Sequence, residues 1–188
     1  MSLTLDIIVA STRPGRIGPA LGAWAQRRAE AHGRFTSRLV DLASFELPLF
    51  DEANHPRMGK YEREHTKRWA ESVRAADAFV FVLPEYNYFA PPTLINAIDY
   101  LASEWTYKAA GILSYGGIGG GLRAAESLKP LLSNMGVMPI PEGVSIMGAR
   151  SFIGEDGAFT GEERSEKSLA KMLDELHRWA EALKPLRG

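Results

Sequence analysis

Ala78-Phe79-Val80-Phe81-Val82-Leu83-Pro84-Glu85-Tyr86-Asn87-Tyr88 is the stretch on which the reading of the whole chain turns. Its first six residues are an uninterrupted apolar run, rich in β-branched and aromatic side chains, and read as a short buried strand. Pro84 cannot donate to a ladder, so the backbone leaves the sheet there. In an open α/β sheet the ligand crevice lies outside the carboxyl ends of the strands. A tyrosine and an asparagine at that place offer a stacking surface and a hydrogen-bonding edge for a flat heterocycle. The same residues would also serve as an ordinary strand-to-helix loop, so the neighbouring loops have to decide.

A second apolar run, Leu3 to Ala10, is broken only by Asp6 and leads into Ser11-Thr12-Arg13-Pro14-Gly15-Arg16-Ile17-Gly18-Pro19. Proline is favoured at the first helical position, so Gly18-Pro19 marks a helix start. The first turn of a helix carries free N–H groups and the positive end of the macrodipole, which together suit a phosphate. Ser11 and Thr12 add hydroxyls, and Arg13 and Arg16 add charge in bidentate geometry. The loop lacks the G-x-x-x-x-G-K-[ST] spacing of a nucleoside-triphosphate loop, and it is not G-x-G-x-x-G. A hydroxyl-rich loop suits a terminal phosphate monoester, whose three oxygens want donors, better than a bridging pyrophosphate.

A third junction is Ser114-Tyr115-Gly116-Gly117-Ile118-Gly119-Gly120-Gly121, between a strand-like run and a helical one. Adjacent glycines there imply positive φ angles or close approach of the backbone to something. Gly119 to Ala124 matches G-x-G-x-x-A, but dinucleotide folds place that fingerprint after the first strand. The glycines are read instead as a flat wall beside a ligand ring.

Strands are expected near 4–10, 35–41, 78–83, 107–114 and 137–141. Helices are expected near 18–31, 60–76, 92–102, 119–133 and 165–184. This alternation specifies an α/β three-layer sandwich, a parallel sheet with helices on both faces, in a single domain spanning 1–188. Phe45 to Gly59, rich in Pro, Asp and Asn, reads as a loop able to move. Gly143 to Arg164 reads as an irregular connection. The chain has 188 residues, 45% hydrophobic, with a formal net charge of −1 and no cysteine. Thiol catalysis and disulfides are therefore excluded, and there is no overall basic field for nucleic acid. No apolar stretch is long enough for a membrane span and no signal peptide is recognisable, which favours the cytoplasm. His32, His55, His65 and His177 show no metal spacing and are expected at the surface. Trp105 and Tyr107 fit either core or interface.

The three loops together resemble the flavodoxin-like NAD(P)H-dependent FMN reductase family, which includes bacterial quinone, azo-dye and chromate reductases. The matching stretches are STRPGRIG, PEYN followed by P-x-x-L-x-N-A-I-D-Y-L over Pro91 to Leu101, and SYGG; the resemblance runs from Thr4 to about Met147. It implies a five-stranded parallel sheet of order 2-1-3-4-5. It implies FMN as cofactor, with NADPH or NADH as co-substrate and a small molecule as electron acceptor: a quinone, free flavin, azo compound or metal oxyanion. Ser11, Arg13, Arg16, Ile17 and Gly18 would surround the FMN phosphate. Pro84, Glu85, Tyr86 and Asn87 would line the isoalloxazine with Tyr88 close by. Ser114, Tyr115, Gly116 and Gly117 would flank its other edge. A homodimer or homotetramer is implied too; the residues add a reason, since Tyr88-Phe89-Ala90-Pro91-Pro92 puts two aromatics on a loop that ordinarily faces solvent, with Trp105 and Tyr107 close after the next helix. The chain departs from the family at Tyr88-Phe89-Ala90 and at Ile95, where lysine is common; both bear on substrate preference and subunit contacts.

Two other functions fit the same loops. One is a flavodoxin-type electron carrier with FMN and no NAD(P)H activity, although such carriers are usually markedly acidic. The other is a non-flavin phosphate-ligand protein on the same fold.

Overall fold

Alternation inside the strands places the sheet between two cores. In the computed structural model, which describes residues 2–187, five strands are joined by helical crossovers. They are β1 (Leu3–Val9), β2 (Phe35–Asp41), β3 (Ala78–Pro84), β4 (Lys108–Gly116) and β5 (Val137–Met147). The helices are α1 (Gly18–His32), α2 (Glu64–Arg74), α3 (Pro92–Asp99), α4 (Leu122–Asn134) and α5 (Glu163–Leu183). All strand pairs are parallel and the order is β2-β1-β3-β4-β5, as the resemblance implied.

Strand β3 lies between β1 and β4 and is buried throughout. Phe79, Phe81 and Leu83 enter one core with Trp69 of α2, Leu94 and Ile98 of α3, and Leu128 of α4. Ala78, Val80 and Val82 enter the other with Leu21 and Trp24 of α1 and Met172 and Leu176 of α5. Side chains alternate across a strand, so one apolar run feeds both layers. Trp105 is fully buried against Phe79 and Trp69. It is core, and its place in an expected subunit contact is corrected.

The register fixes where the loops emerge. Val9 pairs with Val82, and Pro84 pairs with Tyr115, so the loops after β1, β3 and β4 leave the sheet side by side. Pro84 closes its strand as expected. Strand β5 runs to Met147, six residues beyond the expected end, despite Pro139 and Pro141. It is an edge strand, where a missing N–H faces no partner, and its register slips between Ala110 and Ile112.

Two further expectations change. The segment from Phe45 to Gly59 is tied down. Asn96 of α3 donates to Pro48 O at 2.7 Å and accepts from Phe50 N at 3.0 Å, and Glu52 accepts from Glu62 N and Arg63 N, both at 2.9 Å. His32, His65 and His177 are largely covered, with side chains 13, 20 and 13% exposed, beside Asp174, Asp51 and Glu181. Only His55 is exposed as expected. Among the described residues no cluster of three metal-ligating side chains occurs, and no helix is long and apolar enough to cross a membrane.

Candidate functional site

A cleft opens at the carboxyl ends of β1, β3 and β4. Ser11, Arg13 and Arg16 line one side, Pro84, Glu85 and Tyr86 the other, and Tyr115 and Gly116 the floor. Three loops far apart in sequence thus meet, as the strand order requires.

At the first loop, Gly18 opens α1, with Ile17 as the cap and Pro19 in the first turn. The glycine is there for packing: a Cβ on Gly18 would lie 2.9 Å from Val9 Cγ1 and 3.1 Å from the Tyr115 hydroxyl. Arg13 is exposed and has no ion-pair partner among the described residues. Arg16 is differently placed. Its guanidinium holds Asp41 at the end of β2 through two bonds of 2.5 and 2.7 Å, and donates to Ser11 O at 2.6 Å. Its charge is matched by a carboxylate, so it shapes the loop more than it charges the cleft. The Ser11 and Tyr86 hydroxyls are paired with each other at 2.9 Å, which joins the first loop to the third-strand loop. Thr12 points away, toward Leu42 and Thr93.

The PEYN segment is a tight hairpin. Tyr86 and Phe89 exchange both backbone bonds at 3.0 Å, and the two residues between them have positive φ, 52° at Asn87 and 73° at Tyr88. That is the pattern of a type I′ turn, which asparagine tolerates and tyrosine does not favour. A clamp holds Tyr88 there: the Arg123 guanidinium of α4 sits over its ring at 4.4 Å and also reaches Glu85 Oε1 at 3.3 Å. The other carboxylate oxygen of Glu85 is buried with no partner. A buried acceptor without a donor is costly. A ligand bearing N–H or O–H donors would satisfy it.

The glycine loop divides by role. Gly121 (φ 82°) could not carry a Cβ, which would fall 2.7 Å from Tyr115 N. Gly120 likewise faces Ser145. These glycines serve backbone packing. Gly117 has open space beside it, whereas a Cβ on Gly116 would lie 3.0 Å from Gly121 N. Ser114 is buried and donates to Gly120 O at 3.0 Å, holding the loop from beneath. Tyr115 is buried too and lines the cleft, with its hydroxyl 3.1 Å from where a Cβ of Gly18 would lie at the start of α1. Burial, then the nearby Tyr86 phenol, push its hydroxyl above the ordinary tyrosine range, against Arg16 and Arg13.

One lining residue lay outside every sequence motif. Arg150 follows β5 on a single 3₁₀ turn, Ala149–Phe152, and donates to Gly15 O at 3.2 Å. The sequence signal was faint, a basic residue two places after a glycine in a segment read as an irregular connection. Beyond the hairpin a second, wider groove is bounded by Arg13, Tyr86, Phe89, Pro92, Ile95 and Asp99.

A doubly wound parallel sheet with anion-binding features and an aromatic hairpin at one switch point defines the class: a nucleotide-binding protein of flavodoxin-like fold. The family model described as NADPH-dependent FMN reductase matches residues 4–151, and the chain belongs to that family. A relative named NAD(P)H-dependent FMN reductase ntnL, from Nectria sp., is 31% identical over 92% of this chain and 94% of its own length. Another, NAD(P)H-dependent FMN reductase C4B3.06c of Schizosaccharomyces pombe, is 41% identical over 64% of this chain and 61% of its own. Among solved structures, the flavoenzyme NAD(P)H:(acceptor) oxidoreductase FerB from Paracoccus denitrificans superposes with TM-score 0.75 at 27% identity. That match covers 96% of this chain and 98% of FerB. The protein is therefore an oxidoreductase of the FMN and NAD(P)H type.

Proposed function

We propose that the cleft holds FMN with its phosphate at the start of α1 and its ring between the PEYN hairpin and Gly116-Gly117, and that a flat organic acceptor such as a quinone is reduced there. The observation that carries this reading is the chemistry of the cleft from end to end. One end gathers a free arginine and the open N–H groups of α1; the other offers exposed turn backbone, a glycine wall and an unpaired carboxylate oxygen. Arg13, with the N–H groups at Ile17 and Gly18, would bind the phosphate, while Arg16 orders the loop that carries them. Backbone donors of the hairpin and of the glycine wall would favour negative charge on a bound ring, as preorganised dipoles do. Glu85 would accept from a donor of the cofactor.

Once bound, FMN supplies the hydride chemistry between nicotinamide and acceptor. The chain's part is to hold the two rings in contact and to leave one face open to each partner in turn. No side chain is assigned as acid, base or nucleophile. The groove flanked by Tyr86, Phe89, Pro92 and Ile95 offers an apolar surface to an aromatic acceptor, with Arg13, Asn96 and Asp99 at its margins.

A homodimer or dimer of dimers belongs to the same reading. Tyr88 and Phe89 are 60 and 63% exposed at the tip of the hairpin, beside that groove. Aromatics of this kind fill the centres of subunit contacts. Light scattering at micromolar concentration tests it: Phe89→Asp should yield monomers that lose FMN, and a fully active wild-type monomer would refute it.

The experiment for the function is the visible spectrum of purified protein before and after NADPH and NADH. A flavin spectrum bleached by either, with heat-released FMN on chromatography, is the expected result. FMN that neither nucleotide bleaches would point to the electron carrier, and absence of flavin after reconstitution would point to a different ligand.

A further inference from the structure

Three arginines line the cleft and they are not equivalent. Arg16 is matched by Asp41. Arg13 and Arg150 have no carboxylate partner among the described residues, and Arg150 touches the phosphate loop only through Gly15 O at 3.2 Å. A phosphate monoester carries close to two negative charges at neutral pH. The loop motif supplies one free positive charge, so a second must come from elsewhere in the fold.

Arg150 is built into position for that. Strand β5 ends at Met147, and Gly148 N donates to Gly116 O at 3.0 Å, which pins the turn carrying Arg150 to the glycine loop. Ala149 is buried beneath it. A second observation points to a ligand at the same spot. Tyr115 is 6% exposed, and its hydroxyl lies 3.1 Å from where a Cβ of Gly18 would be, at the open N-terminus of α1. A phenol on a largely buried side chain, with its hydroxyl open to the cleft, without a partner among the described residues and facing a helix start, matches an anion that brings acceptor oxygens.

We infer that Arg150 supplies the second charge of the phosphate site in place of Arg16, with the Tyr115 hydroxyl as a neutral donor, so that a terminal phosphate monoester is gripped by the segments that follow the first and the last strand. This rests on the FMN reading proposed above. The site is then shared between the segment after the first strand and the segment after the last. It selects a ligand ending in a phosphate over the same ligand without one.

The test is titration of apoprotein with FMN and with riboflavin, followed by flavin fluorescence at two salt concentrations. Arg150→Ala should weaken FMN about ten- to a hundredfold, the worth of one charge-assisted contact, and leave riboflavin unchanged. It should also flatten the salt dependence of FMN binding. Arg150→Lys, which keeps the charge, should fall within severalfold of wild type. Tyr115→Phe should weaken FMN severalfold and riboflavin not at all. Thermal melting of each apoprotein establishes that the variants fold; if Arg150→Ala does not, the comparison of Arg150→Lys with Arg150→Gln replaces it. An unchanged ratio of FMN to riboflavin affinity in the alanine variant overturns the inference while the function stands. Equal loss of both ligands also overturns it, since Arg150 would then be only a strap on Gly15. A wild type that binds FMN no tighter than riboflavin defeats the phosphate assignment itself, and the inference with it.

Discussion

Arg13 and Arg16 stand three residues apart in one loop and do different work. Arg13 faces solvent at the cleft, so Arg13→Ala should weaken FMN by one to two decades relative to riboflavin, measured by the same titration. Equal loss of both would make Arg13 a folding residue. Arg16→Ala breaks a bidentate pair and leaves Asp41 with only the Ala43 N–H at 3.1 Å. Its expected effect is a loss of about 1–3 kcal/mol in denaturant titration, because a charged hydrogen-bonding pair is removed from a half-covered place. The sequence showed two arginines suited to a phosphate. It could not show that Asp41, at the end of another strand, would claim one of them. Glycines pose the same problem. Gly117 and Gly121 look alike in the sequence, yet only Gly121 is needed by the backbone. Gly117→Val should leave the melting temperature of the apoprotein unchanged and alter flavin retention or spectrum. A mutant with unaltered binding would remove this wall from the site.

At the scale of elements, periodicity and the proline and glycine stops placed five strands and five helices in the right order. Strand β3 was legible because nothing in it is polar. The β5 extension was not, since Pro139 and Pro141 argue against a strand unless its edge position is known. The segment before α2 was misjudged for a related reason. Its composition is that of a mobile loop, but its fixed points lie at the start of α2 and along α3 to its C-cap. Tyr100 donates to Asp51 Oδ1 at 2.9 Å and to Pro48 O at 3.2 Å, and His65 meets the same Asp51 oxygen at 3.0 Å. Burial alone would raise the Asp51 carboxyl, but those two bonds outweigh it and hold it below the usual range. Tyr100→Phe should therefore speed amide exchange and proteolysis between residues 46 and 59 while sparing the sheet. Unchanged protection there would show that Asn96 and Glu52 suffice.

For the whole molecule, the end of the sheet opposite the cleft is a network of buried charge. Lys108 is 5% exposed and donates to Val73 O at 2.6 Å and Arg74 O at 3.2 Å, closing the end of α2. Burial brings its ammonium down to about 8, helped by Arg187 and opposed by Asp6, Asp77 and Glu104. An unfolded lysine keeps its proton to about 10.4. Above pH 8 the unfolded chain thus binds more protons than the folded one at this residue, and stability gains as pH rises toward 10. Tyr61, Tyr100 and Tyr115 are all pushed up by burial, so their opposite contribution begins only near pH 10. Stability curves of wild type and Lys108→Met should converge or cross between pH 8 and 10, the wild type gaining on the variant. Parallel curves would show that Lys108 titrates normally.

Asp77 has a consequence for how the protein can be handled. It accepts from Thr4 N at 2.8 Å and from Arg187 Nη1 at 2.6 Å, so positions 4 and 187 meet at one carboxylate. That carboxylate precedes β3, a strand's length of roughly 20 Å from the cleft. A tag, fusion partner or electrode tether joined near either position would face away from the cofactor and leave the groove open.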